Sequence, residues 1–242
     1  MEKRQLPHGG KDECFSVIGL GMGSIHESSP MDIERIISRA IDGGINYFDM
    51  CGSENVIFEP FGKAASKKRD KVFIQQHFGA VYNDRGEYGW SRNVSTIEKN
   101  VFSELKQMKT DYCDFGFLHC VDEQKDLDEL ISSGVLELIY KLKKEGVVRR
   151  IGFSSHTPAV ASRAINLGVM DMMMFSINPA YDCEMGDEYG IGSAKERADL
   201  FKKAVKEGVG ISVMKAFHGG RLFDEKASPF NSALTKYQCI QY

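Results

Sequence analysis

The sequence predicts a parallel α/β fold, a (β/α)8 (TIM) barrel that lacks one of its eight units. Apolar runs typical of buried strands alternate seven times with segments of helical periodicity. These strands are almost continuously apolar, which is typical of a parallel sheet covered by helices. Glycine stands between helix and strand in the segments DGGIN, KEGVVRRIG and KEGVGISV, where it suits the C-terminal end of a helix.

The strands and helices follow in order along the chain. In the first helix, Ile33, Ile37 and Ala40 recur at helical spacing. A proline interrupts the second helix, and the segment GAVYNDRGEYGWSRN (79–93) is predicted to be a long polar loop. The predicted strands are 14–21, 45–50, 71–78, 113–120, 147–156, 170–178 and 209–217. The predicted helices are 31–44, 55–66, 94–108, 134–146, 157–168 and 193–208.

A doubly wound sheet is the alternative fold, and it expects a G-x-G-x-x-G turn after its first strand. The segment GLGMGS supplies Gly19, Gly21 and Gly23 but has serine at position 24. We therefore interpret this segment as a tight turn out of the first strand and retain the barrel.

Composition limits the classes of partner. The net charge of −3 gives no electrostatic basis for binding nucleic acid or an anionic membrane. No apolar run approaches the roughly 18 residues that a membrane helix needs, and the polar N-terminus lacks the apolar region of a signal peptide. Six scattered cysteines without a C-x-x-C pair predict reduced thiols and a cytoplasmic location.

The predicted strands end in polar side chains, and working residues of such barrels come from the C-terminal ends of strands. Four of the six histidines fall at these ends, which indicates a functional group of residues. The strand-end residues are Asp49, His77, His119, Ser154, Ser155, His156, Asn178, Lys215 and His218.

Four segments at these positions, GINYFDM, DYCDFGFLHC, GVVRRIGFSSH and GVGISVMKAFHGG, resemble the aldo-keto reductase family in order and spacing. The similarity is greatest to the bacterial branch whose full-length members carry a C-terminal ferredoxin-like segment with 4Fe–4S clusters. The resemblance implies an oxidoreductase that transfers hydride between a nicotinamide cofactor, NADPH or NADH, and a small-molecule carbonyl or alcohol. It also implies a possible electron-transfer partner, with clusters only in a longer chain.

The family tunes a tyrosine acid with an aspartate, a lysine and a histidine. By resemblance, Asp49 matches the aspartate and His119 the histidine, whereas His77 replaces the lysine. The tyrosine is absent from its expected place, and Glu54 stands near there. Because a glutamate with an ordinary pKa of about 4.3 is a poor acid at neutral pH, we expect a histidine, His77 or His119, to donate the proton.

The residues expected to bind the cofactor also differ in part from the family pattern. By resemblance, Ser154 and Ser155 match the pair that binds the nicotinamide carboxamide, and Asn178 and Lys215 complete the expected cofactor contacts. Met174 stands where the family commonly has glutamine. The phosphate-binding segment follows an eighth strand that residues 1–242 lack. We therefore expect a single domain over 1–242, a C-terminally truncated barrel that binds dinucleotide weakly.

Two other functions stay open at this stage. One is a metal-dependent hydrolase-type barrel with Asp49, His77, His119 and His156 as ligands, since imidazoles and a carboxylate can hold Zn²⁺. It lacks the H-x-H pair that such hydrolases often use after strand one, and no metal is expected in the favoured interpretation. The other is a catalytically inactive barrel kept for binding.

Overall fold

The computed structural model describes residues 1–242, and the chain divides into two compact units. The first unit comprises residues 1–119 and 128–151, and the second comprises residues 120–127 and 152–242. The boundary at residues 151 and 152 falls inside a strand. Each unit has its own parallel strands connected by helices.

The first unit contains a parallel sheet and two antiparallel pairs of strands. Its strands are β1 (Lys3–Gln5), β2 (Cys14–Ser16), β3 (Leu20–Gly21), β4 (Tyr47–Met50), β5 (Phe73–Phe78), β6 (Ala80–Tyr82), β7 (Tyr88–Trp90) and β8 (Cys113–Leu118). Strands β3, β4, β5 and β8 are neighbours in that order and run parallel. Strand β1 pairs with β2 and β6 with β7, both antiparallel.

Helices connect these strands, and polar side chains define where two of them begin. Ser29 accepts a hydrogen bond from the Asp32 amide at the start of the first helix, and Asn93 accepts one from Thr96 at the start of the third. Short 3₁₀ helices flank the second helix. The helices are α1 (Pro30–Asp42), α2 (Phe58–Ala65), α3 (Val94–Gln107), α4 (Gln124–Ser132), which crosses the boundary of the units, and α5 (Val135–Lys144).

The first unit is tightly packed around β8, of which every residue is buried. Ile97 and Val101 of α3 are likewise buried, as their spacing predicts. Helices α2 and α3 approach closely at Gly62, where a Cβ atom would lie 2.5 Å from the carbonyl oxygen of Gln107. Only glycine fits this contact without a shift of backbone.

A buried carboxylate on β8 is fully paired. Asp114 accepts hydrogen bonds from Arg69 at 2.8 Å, from Arg149 at 3.0 Å and from the amide of Ile74 at 2.9 Å. Since a buried carboxylate is costly unless it is paired and hydrogen-bonded, these three donors offset the cost of burying the Asp114 side chain.

The second unit has three parallel strands in the order β9, β10, β11. Arg197 is completely buried there and pairs with Asp182 at 2.5 Å. Its elements are β9 (Val148–Ser155), β10 (Met172–Ser176), β11 (Gly210–Met214), α6 (Pro158–Ile165), α7 (Pro179–Asp182), α8 (Ala194–Lys206) and α9 (Lys236–Gln241). No helix of this protein combines the length and apolar character needed to cross a membrane.

Six of the seven predicted strands are confirmed within three residues at each end, as β4, β5 and β8 to β11. The first predicted strand, 14–21, is wrong in detail because it divides into β2 and β3. At the break, the side chain of Asn46 accepts from the amide of Ser16, and the Ser16 hydroxyl donates to the carbonyl of Ile18. These side-chain bonds replace the ladder bonds that would continue the strand.

Three further expectations need correction. The predicted loop 79–93 contains the β6–β7 hairpin, and α4 was not predicted at all. The predicted helix 55–66 begins as a 3₁₀ helix and becomes α-helical only at Phe58. Pro60 then lies in the first turn of α2, where its missing N–H breaks no intrahelical bond.

Candidate functional site

Asp49, His77 and His119 come together at the ends of neighbouring parallel strands. Asp49 lies in β4, His77 lies in β5, and His119 directly follows β8. The Nε2 atom of His77 is 2.7 Å from Asp49 Oδ1, and its Nδ1 atom is 2.9 Å from Nδ1 of His119. Both imidazoles are buried. The structure therefore assembles the three residues that the strand ends predict as one cluster.

A tyrosine that the sequence reasoning missed extends this cluster. The hydroxyl of Tyr88 lies 2.7 Å from Nε2 of His119, and the Tyr88 residue is 41% exposed. Tyr88 stands on β7 of the hairpin, whose strand β6 pairs with the end of β5. The hairpin thus carries a phenol to the cluster from outside the parallel sheet.

The turn of this hairpin has a recognisable local cause. The side chain of Asn83 accepts hydrogen bonds from the amides of Arg85 and Glu87, and Gly86 has a φ of +82°. Asparagine followed by glycine three residues later is typical of a turn. The segment NDRG between AVY and EYGW was the signal that could have predicted a hairpin here.

One arrangement of protons orders the donors along the chain Tyr88–His119–His77–Asp49. His77 Nε2 lies 2.7 Å from Asp49 Oδ1 and 2.8 Å from the Gln75 amide nitrogen. When His77 Nε2 carries a proton, it donates to the Asp49 carboxylate, which only accepts. In neutral His77, Nδ1 is then an acceptor, and the Nδ1 proton belongs to His119. The remaining nitrogen of His119, Nε2, accepts from the Tyr88 hydroxyl. The four side chains form one continuous hydrogen-bond chain from a partly buried carboxylate to a half-exposed phenol.

Further residues hold this chain in place. The Gln75 amide donates to Asp49 Oδ1 at 3.0 Å, and the Tyr47 hydroxyl donates to the Gln75 amide oxygen. Arg92 donates to the backbone oxygen of His119 at 2.9 Å. These contacts hold the carboxylate of Asp49 and the backbone of His119 in place before any substrate binds.

Tyr82, opposite Tyr88 in the hairpin, has a different environment. Its hydroxyl donates to the carbonyl of Gly52 at 3.0 Å and accepts from the amide of Gly52 at 3.3 Å. Burial raises the pKa of Tyr82 well above the usual value of a phenol. Tyr82 is therefore a neutral residue that is hydrogen-bonded to the backbone.

Glu54, which the sequence suggested as a substitute for the missing tyrosine, stays outside the cluster. It is exposed, and its backbone pairs with that of Glu87 at the base of the hairpin. The position near residue 54 is thus used to anchor the hairpin that presents Tyr88.

A metal ion is a second ligand that this cluster could hold. Cys51, His77 and His119 each offer one ligand atom, and these atoms lie within 4.8 Å of one another. Thiolate and imidazole are ligands that Zn²⁺ accepts. The set differs from the predicted one, because Cys51 takes part and His156 belongs to the second unit.

The predicted cofactor residues lie in the second unit. Ser154 and Ser155 are buried at the end of β9, and their hydroxyls are of a suitable type for a carboxamide. The Ser154 hydroxyl accepts from the amide of Cys120 at 2.9 Å. The Asn178 side chain caps α7 and donates to the carbonyl of Lys215 at 2.8 Å, so both of its ends are engaged by the fold. The Ser155 hydroxyl is likewise engaged, since it donates to the carbonyl of Thr157 at 3.4 Å and accepts from the amide of Thr157 at 3.2 Å.

Comparison with known proteins shows the family of this chain. A profile of the Aldo/keto reductase family matches residues 17–238. The chain belongs to this family of oxidoreductases. An uncharacterized oxidoreductase, YqkF, of Bacillus subtilis (strain 168) is 31% identical over 186 residues, 73% of this chain and 57% of the relative. The match thus spans little more than half of the length of that relative.

Solved structures show the fold of the family. An aldo-keto reductase from Bacillus halodurans, in its holo form, has a TM-score of 0.74 and 22% identity over 100% of this chain and 75% of its own. A glycerol dehydrogenase from Gluconobacter oxydans has a TM-score of 0.69 and 20% identity, over 97% of this chain and 69% of its own. The fold is therefore the incomplete (β/α)8 barrel that the sequence predicts, with seven parallel strands.

Proposed function

We propose that this protein reduces small carbonyl compounds, or oxidises the corresponding alcohols, with NADPH or NADH. The observation that supports this best is the hydrogen-bond chain Tyr88–His119–His77–Asp49. The resemblance predicts a tyrosine near residue 54, where this chain has none. In this hydrogen-bond chain, Tyr88 supplies the phenol from a different segment, the β6–β7 hairpin. Membership in the family and an oxidoreductase relative support the same reaction class.

Proton delivery follows from the order of donors in this chain. When the two imidazoles share one additional proton, His119 Nε2 donates to the Tyr88 oxygen, and the Tyr88 proton is free to point outward. Asp49 stabilises that positive charge. As a carbonyl oxygen gains negative charge, Tyr88 gives it a proton and takes one from His119, which leaves both imidazoles neutral. With both imidazoles neutral, Tyr88 donates inward, and this arrangement suits the removal of a proton from an alcohol.

The nicotinamide, when bound, supplies the hydride that the carbonyl carbon accepts. Ser154 and Ser155 are the residues we propose for its carboxamide. The holo form of the Bacillus halodurans neighbour supports cofactor binding on this fold. Discrimination between NADPH and NADH, iron–sulfur clusters, an electron-transfer partner and a cytoplasmic location stay predictions, the clusters only for a longer chain.

The test compares two tyrosines of one hairpin. Purified protein is assayed for oxidation of NADPH and NADH with aromatic and aliphatic aldehydes, as wild type, Tyr88→Phe and Tyr82→Phe. We expect Tyr88→Phe to lower kcat at least ~10²-fold, the usual contribution of a positioned proton donor. Tyr82→Phe should retain most of the rate, because that hydroxyl bonds only to the backbone of Gly52.

The outcomes separate two parts of the proposal. A wild-type protein that oxidises neither cofactor with any of these aldehydes contradicts the reductase function. If Tyr88→Phe leaves the wild-type rate unchanged, Tyr88 is not the proton donor, and His119 becomes the expected donor again.

A further inference from the structure

A second chain of polar side chains lies in the second unit and takes no part in the reaction above. Asp122 follows β8, His156 follows β9, and Lys215 follows β11. Nδ1 of His156 is 3.0 Å from Asp122 Oδ2, and Nε2 of His156 is 2.8 Å from Nζ of Lys215. Three strand ends thus place a carboxylate, an imidazole and an amine in series.

The carboxylate sets the direction of this series. Asp122 Oδ1 also accepts from the backbone amide of His156 at 2.6 Å, which fixes the two residues together. Burial alone would raise the pKa of Asp122, but its hydrogen bonds to His156 outweigh burial and hold that pKa below its usual value. An ionised Asp122 only accepts, so the proton of His156 is on Nδ1 and a lone pair of Nε2 faces the amine of Lys215.

The environment of Lys215 differs from that of other paired lysines in this protein. Lys63, Lys141 and Lys195 each meet a carboxylate, which raises the pKa of the ammonium. Lys215 meets the basic nitrogen of an imidazole instead, and burial lowers its pKa. The charged groups that oppose this shift are Cys120, Asp122, Asp187 and Glu188, and the ring of Tyr189 lies 3.8 Å from Nζ.

The backbone holds Lys215 in a conformation that is uncommon for a residue with a side chain. Its φ is +57°, in the left-handed region. Its carbonyl accepts from the Asn178 side chain at 2.8 Å and from the amide of His218 at 2.9 Å. Strained backbone held by surrounding contacts is frequent at functional sites. The side chain itself remains partly accessible.

We propose that Lys215 is a nucleophile that condenses with small aldehydes or ketones to form an imine, with His156 as the base that accepts its proton and Asp122 as the residue that orients His156. An amine is activated as a nucleophile when burial favours its uncharged form. This role goes beyond carbonyl reduction and differs from the cofactor contact that the sequence suggests for Lys215.

The step balances without any oxidant or reductant. His156 Nε2 takes a proton from the ammonium, the lone pair of Nζ attacks the carbonyl carbon, and the electron pair of the C=O π bond moves to the oxygen, which takes that proton from His156. His156 then removes a second proton from the nitrogen of the carbinolamine and gives it to the hydroxyl, which leaves as water as the nitrogen lone pair forms the C=N bond of a protonated imine. Water is the only product besides the imine, and hydrolysis of the imine reverses the reaction.

Reductive trapping in the absence of any nicotinamide tests the proposal independently of the reductase function. Wild-type protein is incubated with acetaldehyde and sodium cyanoborohydride at neutral pH, and ethylated lysines are quantified by peptide mass spectrometry over time. We expect Lys215 to react at least about tenfold faster than Lys141 and Lys195, because His156 accepts the proton of its ammonium whereas carboxylates hold the protons of the other two. These two surface lysines are internal standards in the same sample.

Two substitutions complete the test. His156→Gln should bring the labelling rate of Lys215 down toward that of Lys141, and Asp122→Asn should do so in part. Unchanged labelling of Lys141 and Lys195 in both variants verifies that the reagent and the fold are intact. The proposal is overturned if Lys215 of the wild-type protein is labelled no faster than the two standards. Fast labelling that persists in His156→Gln overturns the role of His156 as the base.

Discussion

Glu104 should make the stability of this protein fall as the pH rises. The residue lies on α3 and is buried, and burial raises its pKa from 4.5 to about 8 although the hydrogen bond from Gln76 opposes this. The Gln76 amide nitrogen donates to Glu104 Oε2 at 2.7 Å, and neither Oε1 of Glu104 nor the amide oxygen of Gln76 has a hydrogen-bond partner. The folded state therefore favours the protonated, neutral carboxyl.

The sign and the size of the effect follow from this pKa. Between pH 4.5 and about 8 the folded state binds the proton of Glu104 more tightly than the unfolded state does. The stabilisation is complete below pH 4.5 and is lost as the pH rises through about 8. At about 1.4 kcal/mol per pH unit, the loss is on the order of 5 kcal/mol.

The perturbation that isolates this effect is Glu104→Gln, which is isosteric and cannot ionise. Its amide oxygen still accepts from Gln76, and its amide nitrogen can donate to the unpaired oxygen of Gln76. Free energies of unfolding in urea are measured from pH 5 to pH 9 for both proteins. We expect similar stability near pH 5 and a variant that is more stable by several kcal/mol at pH 9.

The difference between the two proteins removes the contribution of all other titrating groups. Glu98→Gln on the same helix is the matched control, because Glu98 pairs with Lys141 near the surface at 2.9 Å, where an ion pair contributes about 1 kcal/mol or less. A difference between wild type and Glu104→Gln that stays constant over this range would refute the reasoning.

Three further predictions test the cluster and the packing. His119→Ala should lower the carbonyl-reductase kcat at least ~10²-fold, whereas Glu54→Gln should change it little, and equal losses would favour Glu54 as the acid. Asp114→Ala should destabilise the protein by about 3–5 kcal/mol in urea titrations, because it leaves buried arginine charge unpaired. Gly62→Ala should cost about 1–3 kcal/mol in the same assay, since its Cβ would clash with the end of α3; a neutral result would show that the two helices separate readily.

The sequence predicted the place of some residues of the cluster in the fold and not of others. Asp49, His77 and His119 were predictable because each stands at or near the end of an apolar strand, and parallel strands bring such ends to one edge. Tyr88 was not predictable from that pattern, because it lies in a polar segment without strand periodicity. Glu54 stands near the expected tyrosine along the chain, but its exposed side chain lies outside the cluster, because nearness in sequence does not fix position in space.

The second cluster shows the same division. His156 and Lys215 were identified as strand-end residues, but their contact depends on the side-chain directions at β9 and β11. Asp122 follows β8 in an irregular segment, and only its hydrogen bonds to His156 give it a role. The lowered pKa of Lys215 depends on burial, which no local pattern shows.

By itself, the sequence determined the succession of strands and helices, the barrel class and the family, since these follow from local periodicity and from residues at fixed spacings. The tertiary structure decided which polar groups meet. Hydrogen bonds such as those of Tyr88 to His119 and of Lys215 to His156 form between residues 31 and 59 positions apart in the chain. Such contacts depend on strand register and on the fold of a hairpin. Differences of a few tenths of an ångström in the donor–acceptor distance decide whether a proton can be shared.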